Sequence, residues 1–326
     1  QRNTPLIDVR APVEFKEGAI PNSVNLPIMN DEERRLVGIC YKEQGQEAAV
    51  KLGHELVSGK VKDQRTQAWS EFIRKNPSAE VFCFRGGMRS QISCEWIKET
   101  GFNKTPIKGG YKRLRNFFLS WLNDAPLPEF VRIGGLTGSG KTTLLKKIQH
   151  HIDIEELAHH RGSAFGVRGE QPSQVTFENQ FALDLMKHQG HKIVIEDESV
   201  MLGKITIPAR LFTAFRASPL VILEIDPEER LQNIVNDYVK GSTSEFFLSR
   251  LERISKRLGK KKTEDLAREM TEAFRHPPEV RFHRAWITAL LHEYYDPLYQ
   301  KDLRYNQDKV IFRGNAEEIL AFLSRS

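Results

Sequence analysis

Eight consecutive residues, Gly135-Leu136-Thr137-Gly138-Ser139-Gly140-Lys141-Thr142, carry the full pattern of a phosphate-holding P-loop. Glycines at 135, 138 and 140 let the backbone wrap closely around phosphate oxygens. The loop N–H groups and the start of the following helix then supply positive potential. Lys141 reaches the outer phosphates and Thr142 can ligate Mg²⁺. Thr137, Ser139 and Thr143 complete the expected phosphate-facing set. Val131-Arg132-Ile133 reads as the strand before the loop, and residues 143–148 as the helix after it. The motif specifies a phosphorylated ligand. It leaves open which one, and does not by itself specify a kinase.

A second loop has a different chemistry. Residues 81–90, Val-Phe-Cys-Phe-Arg-Gly-Gly-Met-Arg-Ser, run from an apolar strand through Cys83 into a glycine-rich turn, and a helix over 91–100 follows. That order puts Cys83 at the carboxyl end of a strand, facing a helix start. Backbone N–H groups, Arg85 and Arg89 would all favour its thiolate. Such a cysteine is a nucleophile or a carrier of a sulfur-like atom. The competing reading is a buried, inert cysteine, against which two Arg and two Gly within six residues suit an anion cradle.

Three further groups can bear on function. Lys192 to Ser199 reads as a buried strand ending in Glu196, Asp197 and Glu198, where P-loop proteins place an acid that holds Mg²⁺. The polar stretch 159–166 could bring Arg161 and backbone amides to a phosphate, or be a plain connecting loop. Two basic runs lack any acid: Lys104, Lys108, Lys112, Arg113 and Arg115, and then Arg253, Lys256, Arg257, Lys260, Lys261 and Lys262. Each suits an RNA backbone, or an ordinary solvated helix face.

The net charge of +6 is uneven. Residues 1–125 hold 20 Lys and Arg against 15 Asp and Glu, whereas the remainder holds 29 against 28. With 326 residues, 39% hydrophobic and 28% charged, the chain has room for two globular domains. No apolar run is long enough for a membrane helix and no signal-peptide pattern is present, so a cytoplasmic protein is expected. Cys40, Cys83 and Cys94 show no paired or CxxC spacing, which argues against disulfides or a zinc site. Cys94 reads as core, and Cys40 as packing or chemistry.

The organising pattern is α/β throughout. Residues 1–122 alternate a strand at 6–9, helices near 44–57 and 63–74, the strand and helix of the Cys83 loop, and a closing helix over 111–122. Residues 123–129, with two prolines, form a linker. From 130 to 326 the alternation restarts: the P-loop unit, a helix at 176–186, a strand at 192–197, a helix at 209–216, a strand at 220–225 and a helix at 228–239. A mostly helical stretch over 244–300 and a last strand at 310–312 follow. Such alternation implies a parallel sheet covered by helices.

Upstream of Cys83, the strings Leu6-Ile7-Asp8-Val9-Arg10, Glu14-Phe15, Gly18-Ala19-Ile20-Pro21 and Asn25-Leu26-Pro27 occur in order. With Cys83 and Arg89 they resemble the rhodanese (sulfurtransferase) domain, whose members hold a persulfide on the cysteine at this position. Asp8 and Arg10 are expected to serve the fold as a buried pair. Because the chain starts at Gln1, a short N-terminal piece of that domain is expected to be missing.

A rhodanese-like α/β domain followed by a P-loop NTPase-like parallel-sheet domain with a helical C-terminal part is an unusual pairing. Together with Gly38 to Gly45, Gly109-Gly110-Tyr111-Lys112, His160 to Gly166, Glu196 to Ser199 and Tyr294-Tyr295-Asp296-Pro297, it resembles the tRNA 2-selenouridine synthase family. The resemblance implies a transferase acting on tRNA. The sulfur of a wobble 2-thiouridine is first alkylated by geranyl diphosphate, and selenophosphate then supplies selenium as the S-geranyl group leaves. It implies the P-loop and Mg²⁺ as the diphosphate cradle, and selenium handled on Cys83, by position as a perselenide. An ATP-dependent tRNA-thiolating or kinase-like enzyme is the alternative. A non-catalytic RNA- or partner-docking module is a third reading, against which Cys83 and Lys141 weigh.

Overall fold

The computed structural model describes residues 4–166 and 169–325. Residues 1–3, the first of the expected N-terminal domain, lie outside them. The chain divides into two compact units. One comprises residues 1–125 together with 172–183, and the other residues 126–171 together with 184–326. Segment 172–183 thus belongs to the first unit, although the sequence places it deep in the second domain.

The first unit is built on a three-stranded parallel sheet of β1 (Leu6–Asp8), β2 (Ser23–Asn25) and β3 (Glu80–Phe82), in the order β2-β1-β3. All-parallel strands are buried on both faces, and β1 is fully buried. Trp69, Ile73, Ile97 and Cys94 from the helices Gly59–Lys75 and Met88–Glu99 complete this core. The helix expected near 44–57 begins much earlier, at Asp31, where Asn30 and Glu33 form a reciprocal cap. It runs to Leu56 with a break at Gly45, whose φ of 87° no helix accommodates. Over its whole length the apolar residues keep to no one face, so periodicity does not signal a single helix there.

Residues 172–183 contribute most of the helix Gln174–Lys187. Thr176 accepts the Ala19 N–H at 2.9 Å, and Asn179 donates to the Ala19 carbonyl at 2.7 Å. Arg115, expected on an RNA-facing surface, instead bonds Asn179 Oδ1 at 2.8 Å and pairs with Glu178. A guanidinium that is largely buried needs such partners, and here they come from a segment no local pattern links to it.

The second unit holds a five-stranded parallel sheet: β4 (Phe130–Gly134), β5 (His151–Ile152), β6 (Ile193–Glu196), then, beyond a short hairpin β7 (Met201–Leu202) and β8 (Ile205–Thr206), β9 (Leu220–Leu223) and β10 (Val310–Gly314). The order is β10-β9-β4-β6-β5, so the P-loop leaves the central strand. The helix after the P-loop is only Lys141–Leu145, shorter than the expected 143–148. The helix Pro227–Ile234 continues as a widened π turn over Val235–Val239. Helices Ser244–Leu258, Lys260–Ala273 and Val280–Leu290 pack their apolar faces around Phe247, Leu266 and Trp286.

Candidate active site

The first unit presents Cys83 just past the end of β3. Its Sγ lies 3.1 Å from Ser90 Oγ and 3.8 Å from the Gly87 carbonyl. Burial raises the thiol. The Ser90 hydroxyl, the backbone N–H groups of Ser90 and Arg85, and the Arg89 charge outweigh that burial and hold it below the usual cysteine range. Cys94 has no such donors, and burial pushes its thiol up to about 11. The two cysteines therefore differ: donors hold the Cys83 thiol low, and burial raises that of Cys94.

The two arginines act differently from each other. Arg89 points its guanidinium at Glu14, with contacts of 2.6 and 3.1 Å, and adds its charge beside the sulfur. Glu14, held below its ordinary value by Arg89 against its own burial, fixes that orientation. Arg85 serves Cys83 through its backbone N–H, while its exposed guanidinium lies 5.8 Å over the Phe84 ring. The turn Gly109-Gly110-Tyr111 backs this loop. Tyr111 N donates to Cys83 O at 2.9 Å, and a Cβ on Gly110 would come within 2.2 Å of that oxygen. Asp8 and Arg10 form the expected buried pair, with Arg10 3.8 Å over the Tyr111 ring.

The second unit presents the P-loop. Gly138 and Gly140 adopt φ of 85° and 84°, and a Cβ on Gly138 would meet Ile234 at 2.5 Å. Lys141 Nζ donates to the Gly135 carbonyl at 3.0 Å, so the lysine bends back across its own loop. Ser139 Oγ is buried without a hydrogen-bond partner among the described residues. Thr143 is exposed beside the loop. The outer edge is held by two residues that no sequence signal marks. Arg230 donates to Thr137 O at 2.8 Å while paired with Asp296, and Asn233 donates to Gly138 O at 3.1 Å.

β6 lies beside β4, with Glu196 opposite Ile133, so its acids end next to the P-loop. Alternation along the strand separates them. Asp197 turns away to pair with the buried Arg132 at 2.7 Å and with Arg216, which removes it from the expected metal set. Glu196 and Glu198 stay together and are joined by Glu155, which sequence spacing does not reveal. One oxygen from each lies within 4.8 Å of the others. Burial, then the Glu155 charge, pushes the Glu196 carboxyl up to about 8, against the opposing pull of Lys141 and the Thr142 hydroxyl. Burial raises Glu198 well above its ordinary value too. The 160–166 loop covers this cluster: Gly162 N donates to Glu155 at 2.6 Å, and a Cβ on Gly162 would strike the Glu198 carboxylate. Arg161 pairs with Asp237 in the widened turn and lies 4.7 Å over Tyr238.

Of the basic runs, Lys108, Lys112 and Arg113 are exposed, whereas Lys104 Nζ is held by the Pro77 carbonyl at 2.6 Å. Arg253, Lys256, Arg257 and Lys260 are all exposed around the helix break at Gly259.

A family model described as the tRNA 2-selenouridine synthase AAA domain matches residues 128–326, and a rhodanese-like domain model matches residues 1–116. The tRNA 2-selenouridine synthase of Shewanella denitrificans is 44% identical over 98% of this chain and 94% of its own length. That of Sulfurovum sp. (strain NBC37-1) gives the same figures. That of Bordetella petrii is 42% identical over 99% and 93%.

Proposed function

This chain belongs to the tRNA 2-selenouridine synthase family, and from that premise we propose a two-step replacement of sulfur by selenium in a wobble 2-thiouridine of tRNA. In the first step the thiocarbonyl sulfur attacks C1 of geranyl diphosphate. The C1–O bond breaks, diphosphate leaves with the electron pair, and the base loses its N3 proton. In the second step selenium from selenophosphate attacks C2 of the base and the geranyl thiolate leaves, taking up a proton. Water then cleaves the selenium–phosphorus bond to release phosphate. Thiolate is a poor leaving group from the unmodified base, and S-alkylation is what makes it leave.

The residues of the P-loop suit the first step. The backbone of 135–140 and the Ser139 hydroxyl would cradle the diphosphate, with Lys141 swinging from its carbonyl partners onto the outer phosphate. Thr142, Glu196, Glu198 and Glu155 fit a hard divalent cation such as Mg²⁺. All offer oxygen, and the Glu196 Oε1 is buried without a hydrogen-bond partner among the described residues. Bound there, the ion would supply positive charge to the departing diphosphate. The Cys83 loop, with its backbone N–H groups and the Arg89 charge, would hold the anionic selenophosphate while its selenium attacks C2 in the second step. The exposed Lys108, Lys112 and Arg113, and the Arg253 to Lys260 run, would contact tRNA phosphates.

The observation that carries this reading is one chain holding both a thiolate-favouring cysteine loop and a P-loop faced by a carboxylate triad. The test is reconstitution. Thiolated tRNA with geranyl diphosphate and Mg²⁺ should yield S-geranyl-2-thiouridine by nucleoside mass spectrometry, and adding selenophosphate should convert it to 2-selenouridine. ATP-dependent turnover with no geranylated intermediate would transfer the P-loop to the ATP reading.

A further inference from the structure

A geranyl chain needs an apolar site. The apolar pocket that touches the P-loop at Thr137 encloses about 30 Å³, far below the roughly 300–1,000 Å³ of small-molecule sites. The first unit contains a cleft of about 860 Å³, lined by the kinked helix Asp31–Leu56 and by the cysteine-loop residues Arg85, Met88 and Arg89.

Its composition is amphiphilic. Ile28, Val57 and Trp96 are buried in its wall, while Tyr41 and Met88 leave 58% and 38% of their surface exposed. Large side chains exposed inside a concave site mark a place where apolar matter is received. The charged lining is five cations (Arg34, Arg35, Lys42, Arg85, Arg89) against the single carboxylate of Glu14. Arg34 and Arg89 pair with Glu14 and Arg35 with Glu32. Lys42 and Arg85 make no ion pair among the described residues. A neutral lipid has no use for that rim, and a bare phosphate has no use for the wall. A hydrocarbon chain joined to an anion uses both.

We infer that this cleft receives a ten-carbon isoprenoid chain attached to an anionic group, the geranyl portion of the modified wobble nucleotide. This rests on the geranylation reading above. The cleft shares its wall with the loop that carries Cys83, so a chain seated there lies on the unit that handles selenium.

Gly38 lines the cleft, and a Cβ built on it meets nothing within 4 Å, so Gly38→Trp should plug the cleft without a backbone clash. Tyr41→Ala removes exposed apolar contact with little risk to folding. Binding of the full chain to two anticodon stem-loop RNAs is measured, one with 2-thiouridine and one with S-geranyl-2-thiouridine, alongside geranyl diphosphate. The wild type should prefer the geranylated RNA by about tenfold or more, as burying several methylenes requires. Both variants should lose most of that preference with unchanged affinity for the thiolated RNA. Geranyl diphosphate, whose diphosphate is read onto the P-loop, should bind Gly38→Trp as it binds the wild type, and a loss of that binding in Gly38→Trp counts against the nucleotide as occupant. A wild-type preference retained in both variants overturns the cleft and leaves the two-step reading standing. A wild type that neither prefers the geranylated RNA nor binds geranyl diphosphate removes that reading and the cleft with it.

Discussion

Replacing Ser90 by alanine should move the titration of Cys83 upward by about half a unit to one and a half units. The Ser90 hydroxyl sits 3.1 Å from the sulfur and 3.0 Å from the Gly87 carbonyl, and it has one proton to give. With a neutral thiol it can give that proton to Gly87. With a thiolate it turns to the sulfur, a bond to a charged group worth about 1.5–3 kcal/mol, and forgoes the carbonyl bond of about 1 kcal/mol. The net, about 0.5–2 kcal/mol, is converted at 1.36 kcal/mol per pKa unit. The assay is the pH dependence of iodoacetamide alkylation, followed by mass spectrometry on the Cys83 peptide. The buried sulfur slows the absolute rate, but the midpoint is what is read. Cys94, held near 11, stays silent through the range. An unmoved midpoint in Ser90→Ala, or a larger shift in Arg89→Lys, would refute the ranking that puts the hydroxyl ahead of the guanidinium.

Other expectations follow from the same geometry. Lys141→Ala should weaken geranyl diphosphate by roughly 10–150-fold in calorimetry, the loss of one charged hydrogen bond. Because the folded-state Glu196 carboxyl sits near 8 against 4.5 for the free group, the folded protein holds the extra proton between those values. Without divalent cations, stability to urea should therefore fall as pH rises from about 5 to 8, and Glu196→Gln should flatten that slope. Replacing Lys108, Lys112 and Arg113 by alanine should reduce the log–log salt slope of tRNA binding by about two units. Arg115→Ala should leave that slope unchanged and instead lower stability by about 1–3 kcal/mol, since it strands Glu178 and Asn179.

What the sequence made legible is what chemistry writes into contiguous residues. The P-loop, the Cys83 loop and the parallel strands beside them depend on local spacing, and they fold as that spacing implies. The reading failed where partners are distant. Asp197 sits between two acids that do meet, yet strand alternation hands it to Arg132, 65 residues away. Glu155 joins the triad from a five-residue helix after β5 that carries no acid motif of its own. Arg115 looked like one more cation in a basic run, and only the packing of 172–183 shows it committed to structure. The helix from Asp31 breaks at Gly45 and keeps its apolar residues to no one face, so periodicity does not mark its start.

The discontinuous first unit also sets a schedule for synthesis. Residues 126–183, 58 in all, must be made after position 125 before that unit has all its parts. At about 5–20 residues per second that is a delay of roughly 3–12 s. During it Arg115 and the Ala19 backbone are without the partners that Thr176, Glu178 and Asn179 later provide. The usual order, in which an N-terminal domain completes itself before the next one emerges, is closed to this chain. Its first unit has to wait for the P-loop to be translated.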